Sequence, residues 1–398
     1  MATQRLPEGP LTRVAEVLWP ADTPERHRLR AASGRSPSPG AERYAAVPSS
    51  RRARYLLPLD APPAVRARLL LHYNHLRTDR RRAQRLAIAA LAALGLPRTD
   101  RSRLVAEPGP RGGLRELVAE QLGCRADELV LSVGVRPGTG PLAPTVTVVD
   151  TRGRPRVFVK VAADPGTRAE LEAEHDVLAA LAQPRGSGLL VPGPMFRVEW
   201  EGALVVGIDP LPLDVRRIGP DELDATLPFL ERLVAQHERE SLRLVDSPWT
   251  ARLRAVLSGL PERWAGPLGH ALDQAARRHP QPVPHGLRHG DWSCWNMAWS
   301  ATVGGLAVWD WEYSEPMAPL GLDRCNWHFA FDTSVRGLSP AEATDRLRED
   351  ARARGDHSRT AELFLLDMAV RRAALGADGE ESSAVAADEL VTLVRSRR

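Results

Sequence analysis

Two hydrophobic periods divide this chain. From about residue 62 apolar positions recur at helical spacing in PPAVRARLLLHYNHL and, after Thr78, in DRRRAQRLAIAALAALGL, which Gly95 and Pro97 end. A shorter helix is expected over 112–123. The period then drops to two: ELVLSVGV (128–135), TVTVVD (145–150) and RVFVKV (156–161) are β-branched runs separated by PGTGPLAP and TRGRP, the pattern of a three-stranded antiparallel meander. Helical spacing returns in TRAELEAEHDVLAALA (167–182), opened by Thr167 and Glu170 at capping-box spacing. ALVVGI (203–208) reads as one more strand. Beyond it helices are expected over 219–240, 250–260, 266–278, 340–354, 359–374 and 381–396, interrupted by an irregular tryptophan-rich segment, 284–328.

A small β-rich lobe followed by a larger helical lobe is a two-lobed α+β arrangement. Residues 1–50, rich in Pro, Ser, Ala and Arg without a sustained period, are expected to be a poorly ordered lead-in. The further divisions are an arginine-rich helical extension at 51–122, the β-rich lobe at 123–212 and the helical lobe at 213–398, whose chemistry is concentrated in 285–323.

The composition, 43% hydrophobic and 26% charged over 398 residues, is that of an ordinary globular protein with room for two or three domains. The longest apolar run, LAIAALAALGL (86–96), is too short to span a bilayer, and MATQRLPEGP lacks an apolar signal core. A cytoplasmic location is expected. The three cysteines, Cys124, Cys294 and Cys325, follow no zinc or disulfide pattern. Charge is small in total, +4, but uneven: residues 51–103 hold 13 Arg against Asp60, Asp79 and Asp100. Such a region attracts an anionic membrane surface or polymer, which would make the protein peripheral to a membrane. A solvated helical face is the plainer reading, and no nucleic-acid motif accompanies the arginines.

The chain has 53 Arg and one Lys, Lys160. A preference for arginine explains the 53 and leaves the exception open. In VFVKV, Val157, Val159 and Val161 share one strand face while Phe158 and Lys160 take the other. In the following helix, Leu171, Val177, Leu178 and Leu181 define an apolar stripe with Glu174 in its middle. A carboxylate there is costly unless paired, and Lys160 is the candidate partner.

The second constellation is HGLRHGDWSCWNMAWSATVGGLAVWDWEYSEPMAPLGLD (285–323). It offers three oxygen side chains: Asp291, Asn296 five residues on, and Asp310 at the end of a predicted hairpin (MAWS, turn, LAVWD). Asn296 and Asp310 suit magnesium, which takes few protein oxygens and completes its shell with water and phosphates, leaving Asp291 free as a base. On the hairpin strand Asp310 and Glu312 are expected to share one face, Trp309 and Trp311 the other. His289, without a Cys/His cluster or a serine elbow, reads as a structural histidine.

A strand lysine, a helix glutamate, HGDxxxxN and a hairpin-borne D-x-E together resemble the aminoglycoside phosphotransferase and choline kinase family, relatives of the protein kinases. HGDWSCWN…WDWEY is similar to members written HGDFxPWN…DWEY. The resemblance covers roughly 125–375. It implies a protein-kinase-like fold, ATP and Mg2+ as cofactors, and a small-molecule hydroxyl acceptor such as a sugar, an aminoglycoside or an amino alcohol. By the same resemblance Asp291 is the catalytic base, Asn296 and Asp310 hold magnesium, and Lys160, held by Glu174, meets the ATP phosphates. Gly138 and Gly140 in GVRPGTGPLAP are the candidate phosphate-loop glycines, although the segment lacks GxGxxG. Glu312, Trp292, Trp295, Trp311 and Tyr313 are candidates for the acceptor site, the aromatics as ring or cation walls. Glu315, Asp323 and Asp332 would add acidity nearby. A catalytically silent nucleotide-binding or regulatory module is the alternative reading.

Overall fold

The computed structural model describes residues 9–21, 28–32, 37–77, 79–95, 103–109, 112–135, 143–181, 188–353, 359–379 and 381–395. The chain forms two compact units, 1–182 with 191–217 and 183–190 with 218–398. Among the described residues no helix is long and apolar enough to cross a membrane.

The first unit begins with α1 (Pro10–Leu18), β1 (Leu29–Ala31), β2 (Glu42–Val47) and β3 (Tyr55–Pro58). A helical pair, α2 (Pro63–Leu71) and α3 (Asp79–Ala93), precedes β4 (Arg103–Ala106) and α4 (Leu114–Leu122). The expected meander follows as β5 (Leu129–Gly134), β6 (Thr145–Asp150) and β7 (Pro155–Ala162), then α5 (Pro165–Leu181). The two residues of β8 (Leu189–Leu190) pair in the second unit, and β9 (Pro194–Trp200) and β10 (Ala203–Ile208) complete the first.

These strands make one nine-stranded sheet in the order β1-β4-β2-β3-β5-β6-β7-β10-β9, every neighbour antiparallel. The alternation of side chains gives the sheet two covered faces. Ala46, Leu56, Val148 and Val157 pack under α1 and α4 through Leu11, Val14, Leu18, Leu114 and Val118. Val47 and Leu57 face α2 and α3, and Val149 faces Val65 and Leu69 of α2.

The lead-in expected for residues 1–50 therefore contains an amphipathic helix and two strands. Its signal is in the sequence: Leu11, Val14, Ala15 and Leu18 follow one helical stripe, with Pro10 in the first turn, and all four are buried. The extension expected to be helical at 51–122 likewise supplies β3 and β4. Both are four-residue strands, held by pairing: β3 lies between β2 and the meander's β5, and β4 between β1 and β2.

The second unit is mainly helical: α6 (Leu227–His237), α7 (Pro248–Ser258), α8 (Glu262–Arg278), α9 (Leu322–Ser334), α10 (Pro340–Ala353), α11 (Arg359–Ala377) and α12 (Glu381–Arg395). Its strands form two small sheets. In one, β12 (Val283–Arg288) lies between β11 (Glu238–Leu242) and β15 (Glu315–Pro319). In the other, β13 (Met297–Ser300) and β14 (Gly305–Val308) form the predicted hairpin, with Met297 opposite Val308, and β8 adds in parallel. Strand β15 and helix α9 fall in or beyond the segment expected to be irregular, where Pro, Trp and Gly obscure the period. The β-rich first unit and the mainly helical second unit are the α+β content expected of this chain.

Candidate active site

In the first unit, β7 lies between β6 and β10, with Lys160 opposite Thr145 and Val206. Strand neighbours on both sides and α5 above leave the lysine 8% exposed and Glu174 only 2%. The ammonium donates to both carboxylate oxygens, at 2.9 and 2.8 Å. Two buried charges in this position are tolerated because each neutralises the other. The pairing inferred from strand alternation and helix phase is thus present. The glycines Gly138 and Gly140 lie outside the described residues.

The second unit holds HGDWSCWN on the turn between β12 and β13. Asp323, in the first turn of α9, accepts from the backbone N–H of His289 at 2.6 Å and of Gly290 at 2.8 Å. Arg371 donates to the Gly290 carbonyl at 2.7 Å. Gly290 has φ of 83°, and a Cβ there would lie 2.0 Å from the Tyr313 carbonyl oxygen, so only glycine fits. His289 Nδ1 accepts from the Asp291 N–H at 3.1 Å, which leaves Nε2 as the N–H that donates to the Trp309 carbonyl at 3.0 Å. The imidazole therefore braces the loop in its neutral Nε2–H form, between the rings of Trp292 and Trp311.

Asp291 follows directly. Asn296 Nδ2 donates to its Oδ2 at 2.8 Å and to its backbone carbonyl at 3.1 Å, Trp295 Nε1 donates to Oδ2 at 3.3 Å, and Asn326 Nδ2 approaches Oδ1 at 3.4 Å. Every one of these groups is a donor, so the carboxylate is oriented as an acceptor. Because the Asn296 nitrogen faces Asp291, its carbonyl oxygen is turned the other way. That oxygen and the Asp310 carboxylate are hard oxygen donors of the kind Mg2+ takes when it keeps waters and phosphates in its shell. The donor set fits the ion. Among the described residues no group of three or more His, Cys, Asp or Glu forms a metal cage.

Three expectations about this segment are corrected. Strand β14 ends at Val308 and Asp310 has φ of 66°, so Asp310 and Glu312 do not share a strand face; the left-handed residue turns the chain out of the sheet. Trp292 and Trp311 are 0% exposed and support His289, so neither walls an acceptor site. Trp295, 46% exposed, remains available. Tyr313 and Glu312 are half-buried, and the Arg371 guanidinium lies 4.6 Å from the Tyr313 ring centre. Nor are the acids expected to lend charge free to do so: Glu315 pairs with Arg252 and Arg288, Asp332 with Arg336 and Arg346, and Asp323 caps the loop.

Sequence reasoning missed the support beneath the loop. Asp367 on α11 meets Arg288 at 2.7 Å, Arg252 at 2.5 Å and Arg371 at 3.6 Å. Arg288 immediately precedes His289, and Arg371 holds Gly290, so one buried carboxylate anchors the loop from both sides. A lone Asp in the apolar stretch LFLLDMAV was the available signal. Asn326 gave none.

Residues 135–320 match the model of the phosphotransferase enzyme family, a span that includes Lys160, Glu174, Asp291, Asn296 and Asp310. No curated protein matches. Among solved structures, the chain is similar to a thermostable mutant of aminoglycoside phosphotransferase APH(4)-Ia in ternary complex with ADP and hygromycin B, with 13% identity, 71% of this chain and 97% of that chain covered, and a TM-score of 0.47. It is also similar to aminoglycoside-3'-phosphotransferase of type VIII, with 21% identity, 59% and 92% covered, and a TM-score of 0.40. The matched span, somewhat under half of the chain, carries the strand lysine, the helix glutamate and the HGD and DWE motifs, and over it the chain is similar to the phosphotransferase enzyme family.

Proposed function

We propose that the protein is a kinase that transfers the γ-phosphoryl group of ATP, with Mg2+, to a hydroxyl of a small molecule such as a sugar, an aminoglycoside or an amino alcohol. The observation that carries this reading is the hold on Asp291, a carboxylate surrounded by N–H donors on a loop that Asp323, Arg371 and His289 fix from three directions. A base must be oriented before it can act, and this one is. Asp291 receives the acceptor's proton as the hydroxyl oxygen bonds to the γ-phosphorus; the bond from that phosphorus to the β,γ-bridging oxygen breaks, and ADP leaves. Lys160, kept in place by Glu174, meets the ATP phosphates as a point charge. Asn296 and Asp310 would hold Mg2+, which supplies charge neutralisation at the phosphates.

The roles separate by mutation. Asp291→Asn is expected to keep calorimetric Mg·ATP affinity within a few-fold of the parent while phosphoryl transfer falls about 10²-fold or more. Asp310→Asn is expected to weaken both. The acceptor screen covers sugars, aminoglycosides and amino alcohols. Parent-rate transfer by Asp291→Asn would remove the base assignment. A wild-type protein that binds ATP tightly and phosphorylates none of the acceptors would make the chain a silent nucleotide-binding module.

A further inference from the structure

The helical pair α2 and α3 presents an unusual surface. Helix α3 is held by a thin strip: only Ala89 and Ala92 are fully buried, against Val47, Leu57 and Leu70, with Ile88 beside them. Residues 86–95 contain no charged or polar side chain. Yet Leu86, Leu91 and Leu94 are 47%, 49% and 70% exposed, Ala87, Ala90 and Ala93 are also exposed, and Leu71 of α2 adds to them. At 100° per residue, Leu86, Ala90, Leu94, Ala87 and Leu91 fall on one arc opposite the buried alanines. No described element covers it.

Charge defines what fits this arc. Arg80, Arg81 and Arg82 are exposed in the first turns of α3 and have no ion pair among the described residues. Cations at a helix N-terminus oppose its dipole, so their placement does not serve the helix itself. Arg51, Arg52, Arg54, Arg68 and Arg77 are exposed in the same region. Among the described residues its acids are Asp79 and Asp60, and Asp60 pairs with Arg43. Exposed leucines flanked by unpaired arginines on a helix too short to span a bilayer are the composition of an interfacial helix. Nucleic acid would use the arginines and leave the leucines idle. A second copy would set the same arginines against these. We propose that α2 and α3 dock the protein on an anionic lipid bilayer, the leucines entering the headgroup boundary and the arginines meeting lipid phosphates and carboxylates.

The test uses the full chain and vesicles of phosphatidylcholine with or without phosphatidylserine. Co-sedimentation is expected with the anionic vesicles, absent with phosphatidylcholine alone, and weakened by salt. Replacing Arg80→Gln, Arg81→Gln and Arg82→Gln together should lower vesicle affinity on the order of 10²-fold. Leu86→Ser, Leu91→Ser and Leu94→Ser together should lower it by on the order of 10-fold or more. Both variants should keep the parent's thermal transition, because the altered side chains are exposed. Absent binding, or parent affinity in the leucine variant, overturns the proposal. So does duplex DNA binding that the leucine changes leave untouched, which would make the arginines a polyanion patch. Light scattering that shows a dimer lost in the leucine variant, without vesicle binding, would assign the face to self-association instead.

Discussion

Lys160 donates to both oxygens of Glu174 in a space sealed by the sheet and α5, and the geometry explains why this position has not become arginine like every other cation in the chain. An ammonium offers three donors around one small centre, whereas a guanidinium is a wide planar fork. Lys160→Arg should therefore overpack the site, at a cost of about 1–3 kcal/mol, and displace the charge from the phosphates it is proposed to meet. Thermal unfolding and Mg·ATP calorimetry check the two effects separately. An arginine variant that binds Mg·ATP as the parent does would show that any buried cation suffices here.

At the scale of elements, α1 has the clearest consequence. Leu11, Val14, Ala15 and Leu18 are fully buried in the core that also contains Val157 and Val159 of the lysine strand. Each buried Leu or Val is worth about 1.5–3 kcal/mol. Deleting residues 1–20 should lower the unfolding temperature markedly and bare the sheet face, read as increased binding of a hydrophobic dye. Deletion without a change in unfolding temperature would mean that α1 merely rests on the sheet. The same logic reverses the expectation of a poorly ordered lead-in at residues 1–50, because Tyr44 and Ala46 occupy that core as well.

For the stability of the whole molecule, Asp367 is a buried acid whose ion pairs tie folding to pH. Burial alone would push its carboxyl up, but the Arg288, Arg252 and Arg371 guanidiniums and the hydrogen bond from Arg288 outweigh it and hold the group far below the usual carboxylate range. A carboxylate with a depressed folded-state value contributes stability that is fully present above its unfolded-state value, about 3.9, and is lost as pH falls below that. Asp367→Asn should cost about 3–5 kcal/mol at neutral pH, since it leaves buried arginine unpaired. The gap between parent and variant should narrow as the pH is taken below about 4. Chemical denaturation across that range measures it. A gap that stays constant would show that the guanidiniums, not the ionised carboxylate, set the cost.

What the sequence by itself determined are the features with short-range causes. The β5–β6–β7 meander, the β13–β14 hairpin and most helices follow from period and turn residues, because side-chain alternation and helix phase are local properties of the chain. The Lys160–Glu174 pair was legible for the same reason: each residue breaks an apolar pattern that can be read within its own element. Asp291, Asn296 and Asp310 stood out by spacing and by likeness to a family. Tertiary structure alone decided the rest. The joining of β1–β4 to the meander in one sheet depends on edges that no four-residue strand advertises. The burial of Trp292 and Trp311 depends on His289 needing walls. The brace from Asp323, Arg371 and Asp367 crosses 33 to 81 residues of chain, distances over which sequence carries no register and only packing brings charge to charge.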